Sequence, residues 1–268
     1  MATTNSSSIF RDRILAGRTA YITGGSSGIC FGIADLFARH GARIAIQGRN
    51  EEKLATAASR LRTHGGDVIT HSADVRHYDA TAEALAKTRA AFGDIDILLC
   101  GAAGNFPAPV LGMSANGFKA VVDIDLLGTF NTCRAAYEHL RKPGASVISI
   151  SATHAFQPYA YQAHVCAAKS GVDMLSKVLA IEWGPSGIRV NVISPGPVDD
   201  TEGMRRLAPT PEARERVTKG VPLRRFAAIE EIAGLALFLA SDAAAYMTGA
   251  VCVIDGGASL HGSRLLEA

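Results

Sequence analysis

Short runs of apolar and β-branched residues alternate with longer stretches whose apolar positions recur every three or four residues, from Thr19 to Asp255. The first run, Thr19-Ala-Tyr-Ile-Thr23, passes through a glycine-rich turn into Ile29–His40, where the spacing predicts a helix stopped by Gly41. Ala42–Ile46 reads as the next strand. A helix over Glu51–Thr63, a strand over Asp67–His71, a helix over Ala80–Phe92 and a strand over Ile95–Cys100 follow. Beyond these the pattern predicts a helix around Gly117–Leu140, a strand at Ser146–Ser151 and a helix at Ala163–Trp183. A strand at Arg189–Ser194, a helix at Ile229–Ala240 and a strand at Val251–Asp255 complete it. Strands joined through helices require right-handed parallel crossovers, so the expected fold is α/β, a doubly wound parallel sheet. Runs such as Ile95-Asp-Ile-Leu-Leu and Val251-Cys-Val-Ile are too apolar for a sheet with one wet face and suit one covered on both.

No internal repeat or linker divides the chain, so a single domain is expected over residues 15–262. A polar N-terminal arm (1–14) and a short tail (263–268) flank it. The longest stretch without clear periodicity is 195–226, rich in Pro, Arg and Gly. It reads as a substrate loop or lid, with a helical insertion at an oligomer contact as the alternative.

Composition narrows the function classes. With 268 residues, 48% of them hydrophobic, there is enough apolar material for one large buried sheet. A net charge of +2 gives no support for a nucleic-acid partner. No apolar run nears the roughly 18–20 residues that span a bilayer, so no membrane role is expected. Five scattered cysteines (Cys30, Cys100, Cys133, Cys166, Cys252) lack metal-ligand spacing and suit a reducing compartment. The polar start does not read as a secretory signal and the ending is not a Ser-Lys-Leu tripeptide, which points to the cytoplasm.

The first strand-to-helix turn carries Thr23-Gly24-Gly25-Ser26-Ser27-Gly28-Ile29-Cys30. Gly24 permits a tight turn and close backbone approach, and the following helix offers free N–H groups to a pyrophosphate. The strand–turn–helix setting makes this a dinucleotide site and the sheet Rossmann-type. After the second strand stands Gln47-Gly48-Arg49-Asn50, with no acidic residue to take a ribose 2′-hydroxyl. Arg49 offers a cationic fork for a 2′-phosphate, with Ser27 as helper, so NADPH is the expected cofactor. Asp74 and Val75, after the third strand, are placed to bracket the adenine.

With these residues goes a wider set: Ala102-Ala103-Gly104, Lys169, Arg189-Val-Asn191, Pro195-Gly196 and Asp255-Gly256-Gly257. Together they resemble the short-chain dehydrogenase/reductase family over about residues 15–259. The resemblance implies cofactor contacts from Gly24, Ser26, Ser27, Gly28, Ile29, Arg49, Asp74, Val75, Ala102, Ala103, Gly104, Lys169, Pro195, Gly196 and Val198. One departure is Cys30, where the family has its third glycine. The common catalytic set of the family is Asn, Ser, Tyr and Lys; here the corresponding positions are Asp125, Ala152, Val165 and Lys169. Without the phenol and the hydroxyl, the usual proton relay to a ketone oxygen is not expected.

A narrower resemblance accounts for these substitutions. Gly101-Ala-Ala-Gly-Asn105-Phe106, Val122-Asp-Ile-Asp125-Leu-Leu-Gly128-Thr-Phe-Asn and His164-x-x-Ala-Ala-Lys169 are similar to segments of peroxisomal-type 2,4-dienoyl-CoA reductases. So are Ile181-Glu-Trp-Gly-Pro185, Pro195-Gly-Pro197 and Thr201-Glu-Gly203-Met-Arg-Arg-Leu. The resemblance implies NADPH-dependent reduction of a fatty acyl-CoA diene, with Asp125 and Lys169 as the catalytic pair. Asn105, Phe106 and His164 are expected near the substrate, and Arg205-Arg206 or Arg224-Arg225 near the coenzyme A phosphates. His154 is a further candidate. The Gly249–Leu260 region resembles the family's sheet-edge contact, implying a homo-oligomer, a tetramer by preference. Two other readings stay open: an oxidoreductase acting on another carrier-bound or carbonyl substrate, and a non-catalytic NADP-binding sensor.

Overall fold

The structure, a computed structural model, describes residues 10–260. Most of the expected N-terminal arm and the end of the chain, including the expected domain limit at 262, lie outside the described residues. Seven parallel strands form one sheet in the order β3-β2-β1-β4-β5-β6-β7. They are β1 (Thr19–Thr23), β2 (Arg43–Gly48), β3 (Val68–Ser72), β4 (Ile97–Cys100), β5 (Ser146–Ile150), β6 (Arg189–Pro195) and β7 (Val251–Ile254). The order reverses direction between β1 and β4, which opens a crevice at the carboxyl ends of the strands there.

Helices cover both faces, as the apolar strands require. Successive strand residues point to opposite sides: Ile22 and Ile46 join one buried cluster, Tyr21 and Ala45 the other. The first cluster is roofed by α1 (Gly28–Arg39), α2 (Glu51–Arg62) and α9 (Ile229–Ala240). The second is roofed by α3 (Tyr78–Phe92), α5 (Gly128–Ala136) and α6 (Ala163–Trp183). Close helix packing rests on small residues. A Cβ on Gly32 of α1 would lie 2.1 Å from Ile229 Cγ2 of α9.

Two regions differ from the sequence reading. The helix expected around Gly117–Leu140 is interrupted: α4 (Ala115–Val122) and α5 are joined by a π-turn over Asp123–Leu127. In that turn Gly128 N–H reaches back five residues to Asp123 O. The 195–226 stretch is helical in large part, with α7 (Glu202–Leu207) and α8 (Pro211–Gly220). Thr201 Oγ1 caps Met204 N–H and Thr210 Oγ1 caps Ala213 N–H, with Pro211 at the first position of α8. These helices therefore start on local chemistry, and the apolar spacing that would have announced them is weak because none of their residues is fully buried.

Candidate active site

A cleft of about 1030 Å³ runs along the carboxyl ends of the strands, between the glycine turn and α7. At one end the β1–α1 turn presents Gly24, Ser26, Ser27, Gly28 and Ile29. Gly24 has φ +71°, and a Cβ there would stand 3.1 Å from the Ala102 backbone, so only glycine suits this turn. Ser27 caps α1 without a side-chain hydrogen bond, which leaves the first N–H groups of the helix free to meet a phosphate. Arg49, Asn50 and Lys53 line the same end; Lys53 is a cation the sequence reading passed over. Asp74 and Val75 line it too. The Asp74 carboxylate is gripped by Arg76 through Nε and Nη2 at 2.6–3.1 Å. These hydrogen bonds, with Arg49 close by, hold it below the usual carboxylate range. Ala102, Ala103, Gly104, Pro195, Gly196 and Val198 continue the lining. Gly196 is pressed against Asp255, whose Cα a Cβ would meet at 2.6 Å. A glycine cradle, a free helix N-terminus and flanking cations fit a phosphorylated dinucleotide.

Cys30 replaces a glycine without disturbing this turn because the space is supplied from the other side. Its buried Sγ sits 3.5 Å from Gly101 O, and a Cβ on Gly101 would come within 2.2 Å of that sulfur.

Deeper in the cleft Asp125 and Lys169 meet. The π-turn brings Asp125 to the end of β4, where its Oδ1 accepts from Gly104 N–H at 2.7 Å. Its Oδ2 lies 3.1 Å from Lys169 Nζ, in ionic contact but off the angle of a directed hydrogen bond, and has no other partner. Lys169 Nζ also donates to Ile150 O at 3.0 Å. Ala152 and Val165 line the cleft in the places where the family pattern has its serine and tyrosine.

Around this pair lie polar groups that the sequence reading did not assemble. Gln162 Oε1 accepts from Asn105 Nδ2 at 2.9 Å and from His154 Nε2 at 3.1 Å. His154 stacks on Tyr159 at 4.0 Å between centroids, and the Tyr159 hydroxyl pairs with Thr153 Oγ1 at 2.9 Å. Burial pushes the His154 imidazole down to about 4, with the Lys169 charge adding to the effect. These contacts join Asn105 to the separate segment 153–162, a meeting that no spacing in the sequence announces.

Other expected residues lie outside the lining. His164 is fully buried, its ring edge-on to Phe106 at 4.4 Å and both nitrogens without partners, so it packs as a core side chain. Arg205 and Arg206 lie on α7 at the rim, next to the lining residues Met204 and Leu207. Arg206 pairs with Glu202 and reaches Asn105 O at 3.4 Å. Arg225 is held in a two-bond grip by Glu231, and Arg224 by Lys219 O. Among the described residues no cluster suits a metal ion, and no helix is long and apolar enough to cross a membrane. All five cysteines are unpaired.

Comparison with known proteins agrees with this geometry. A family model described as Enoyl-(Acyl carrier protein) reductase matches residues 24–259. A peroxisomal 2,4-dienoyl-CoA reductase [(3E)-enoyl-CoA-producing] of Danio rerio is 42% identical, over 97% of this chain and 87% of that protein. A probable 2,4-dienoyl-CoA reductase [(2E)-enoyl-CoA-producing] of Bacillus subtilis is 39% identical, over 91% and 97%. The crystal structure of a short chain dehydrogenase from Bacillus anthracis superposes with a TM-score of 0.83 at 39% identity, covering 91% of this chain and 98% of that one. Sheet order, glycine turn and these likenesses agree: the chain belongs to the short-chain dehydrogenase/reductase family, oxidoreductases that bind nicotinamide cofactors.

Proposed function

We propose that this protein reduces 2,4-dienoyl-CoA thioesters with NADPH. The observation that carries the reading is the buried Asp125–Lys169 pair, set in a cleft where the serine and tyrosine of the carbonyl-reducing pattern are Ala152 and Val165. A ketone reductase must protonate an alkoxide, and no side chain stands at the tyrosine position to do so. A conjugated thioester has no such need. When bound, the nicotinamide supplies a hydride. Negative charge then develops on the thioester oxygen, and a proton must reach carbon. Lys169 holds the cofactor ribose and biases the electrostatics of the site; Asp125, held by Gly104 N–H and paired with Lys169, positions the water that delivers the proton. The names of the relatives support the same substrate class.

Arg49, with Lys53 beside it, supports NADPH over NADH. The remaining contacts named above, from Gly24 to Val198, hold the dinucleotide. Asn105 and Phe106 border the acyl group, and Arg205 and Arg206 at the rim meet the coenzyme A phosphates. Met174, Val178 and Ile181 form one exposed apolar stripe on α6, and Leu127 and Phe130 are exposed as well, which supports a homo-oligomer and, by family resemblance, a tetramer. Unpaired cysteines are in keeping with a cytoplasmic setting.

The test is to follow NADPH oxidation with a 2,4-dienoyl-CoA against a panel of simple ketones. Turnover of the dienoyl thioester alone is expected, and product analysis assigns the 2E or 3E double bond. Turnover of ketones alone, or NADPH binding with no turnover, overturns the reading.

A further inference from the structure

The proposed reaction builds negative charge on the thioester oxygen, and in this cleft the two side chains that would hydrogen-bond a carbonyl oxygen in the family pattern are absent. A replacement donor has to come from elsewhere in the lining. Most polar side chains there are already engaged. The Thr153 and Tyr159 hydroxyls bond to each other, Lys169 faces Ile150 O and Asp125, and the Ser151 hydroxyl is sealed from solvent.

Away from the glycine-turn end of the cleft, Gln162 is the exception. Its carbonyl end is fixed by two donors, Asn105 Nδ2 and His154 Nε2. Because Oε1 only accepts, the His154 proton must sit on Nε2. The other ring nitrogen, Nδ1, is buried without a partner, so a second proton there would be stranded; the imidazole is held neutral by geometry as well as by burial. With its oxygen placed between two N–H donors, the carboxamide presents its nitrogen on the opposite side. Its Nε2 is therefore held in one direction. That nitrogen has no partner among the described residues, yet it is not one of the atoms sealed from solvent, and the residue lines the cleft. Gln162, Val165 and Lys169 share one stripe of α6 and its cap, and all three line the cleft.

We propose that Gln162 Nε2–H is the hydrogen-bond donor to the substrate thioester oxygen, aimed by His154 and Asn105 acting as positioning residues. This rests on the dienoyl thioester reading. It divides the chemistry between two places: Gln162 receives the developing oxyanion, while Asp125 and Lys169 manage the proton bound for carbon. No covalent step is added, and the donor is neutral, so it stabilises charge without itself giving up a proton.

The test uses the full chain with [1-13C]hexa-2,4-dienoyl-CoA. Isotope-edited infrared spectra of this ester, bound in the presence of NADP+, should show the thioester carbonyl shifted to lower frequency than in water. In Gln162→Leu the shift should be lost and kcat should fall roughly 10²–10³-fold, the usual effect of removing one oxyanion donor, with KM little changed. Gln162→Glu keeps both anchoring contacts and the shape while replacing the donor with oxygen, so it should also lose the shift and most of kcat. Unaltered NADPH affinity in both variants shows the fold intact. Wild-type turnover with an unchanged carbonyl band and kcat in either folded variant overturns the Gln162 proposal alone. A wild type that turns over no dienoyl-CoA overturns the functional reading and this proposal with it.

Discussion

Lys169 Nζ stands 3.1 Å from Asp125 Oδ2, with both side chains all but closed to solvent, 8% and 1% exposed. The lysine comes from the second turn of a long helix and the aspartate from a π-turn on another element, so the pair ties two walls of the cleft together. A buried pair of this kind is weak evidence for stability but a strong constraint on its members, because losing one strands the other.

Asp125→Ala should therefore act twice. Leaving the ammonium with only Ile150 O should destabilise the fold by about 3–5 kcal/mol, read from the urea midpoint. Dienoyl-CoA reduction should fall by about 10²–10⁴-fold. Asp125→Asn keeps an oxygen for Gly104 N–H and should spare much of the stability while losing the activity.

Arg49→Ala should weaken NADPH binding by about 1.5–3 kcal/mol, the range for a hydrogen bond to a charged group. NADH affinity should hardly move. Equal losses for both cofactors in a fluorescence titration would remove the 2′-phosphate from the account.

Gly101→Ala should be destabilising by about 1–3 kcal/mol, since its Cβ would enter the space of Cys30 Sγ at 2.2 Å. The double variant Cys30→Ala, Gly101→Ala should recover most of that loss. Additive effects in chemical denaturation would show that the two positions do not share one volume.

His154 predicts the acid limb of the stability curve. Its folded value near 4 lies below its ordinary 6.5, so between these the unfolded chain binds a proton that the folded one does not. Stability from this group is complete above pH 6.5, falls as pH drops towards 4 and is level below that. By linkage the loss is about 3 kcal/mol at most. His154→Phe should flatten the limb, as measured by melting temperature against pH.

Much of this arrangement is visible in the sequence, and the reasons are physical. The strands and most helices show themselves because burial on two faces imposes apolar runs and helical spacing. The dinucleotide end shows itself because Gly24 and Arg49 answer to local backbone and charge requirements. Asp125 and Lys169 were reached through family resemblance, not through pattern. Asn105 and His154 are candidates from the sequence one by one, but their meeting at Gln162 is not legible there, because it depends on the loop after β4 packing against residues 154–162. His164, expected near the substrate from the same resemblance, is fully buried with its ring against Phe106. The helices α7 and α8 had legible starts at Thr201 and at Thr210-Pro211, hidden by a solvent-facing surface that leaves no apolar stripe.

The π-turn at Asp123–Leu127 places the Asp125 carboxylate by the count of residues rather than by their kind. A π-turn carries one residue more than the α-turn it interrupts. Deleting a single residue here would let the helix run on regularly and swing the side chains on one side of the cut by about 100° relative to those on the other. Scanning each position by substitution would leave that dependence unseen; a one-residue deletion, with Asp125 still present in the chain, would part its carboxylate from Lys169.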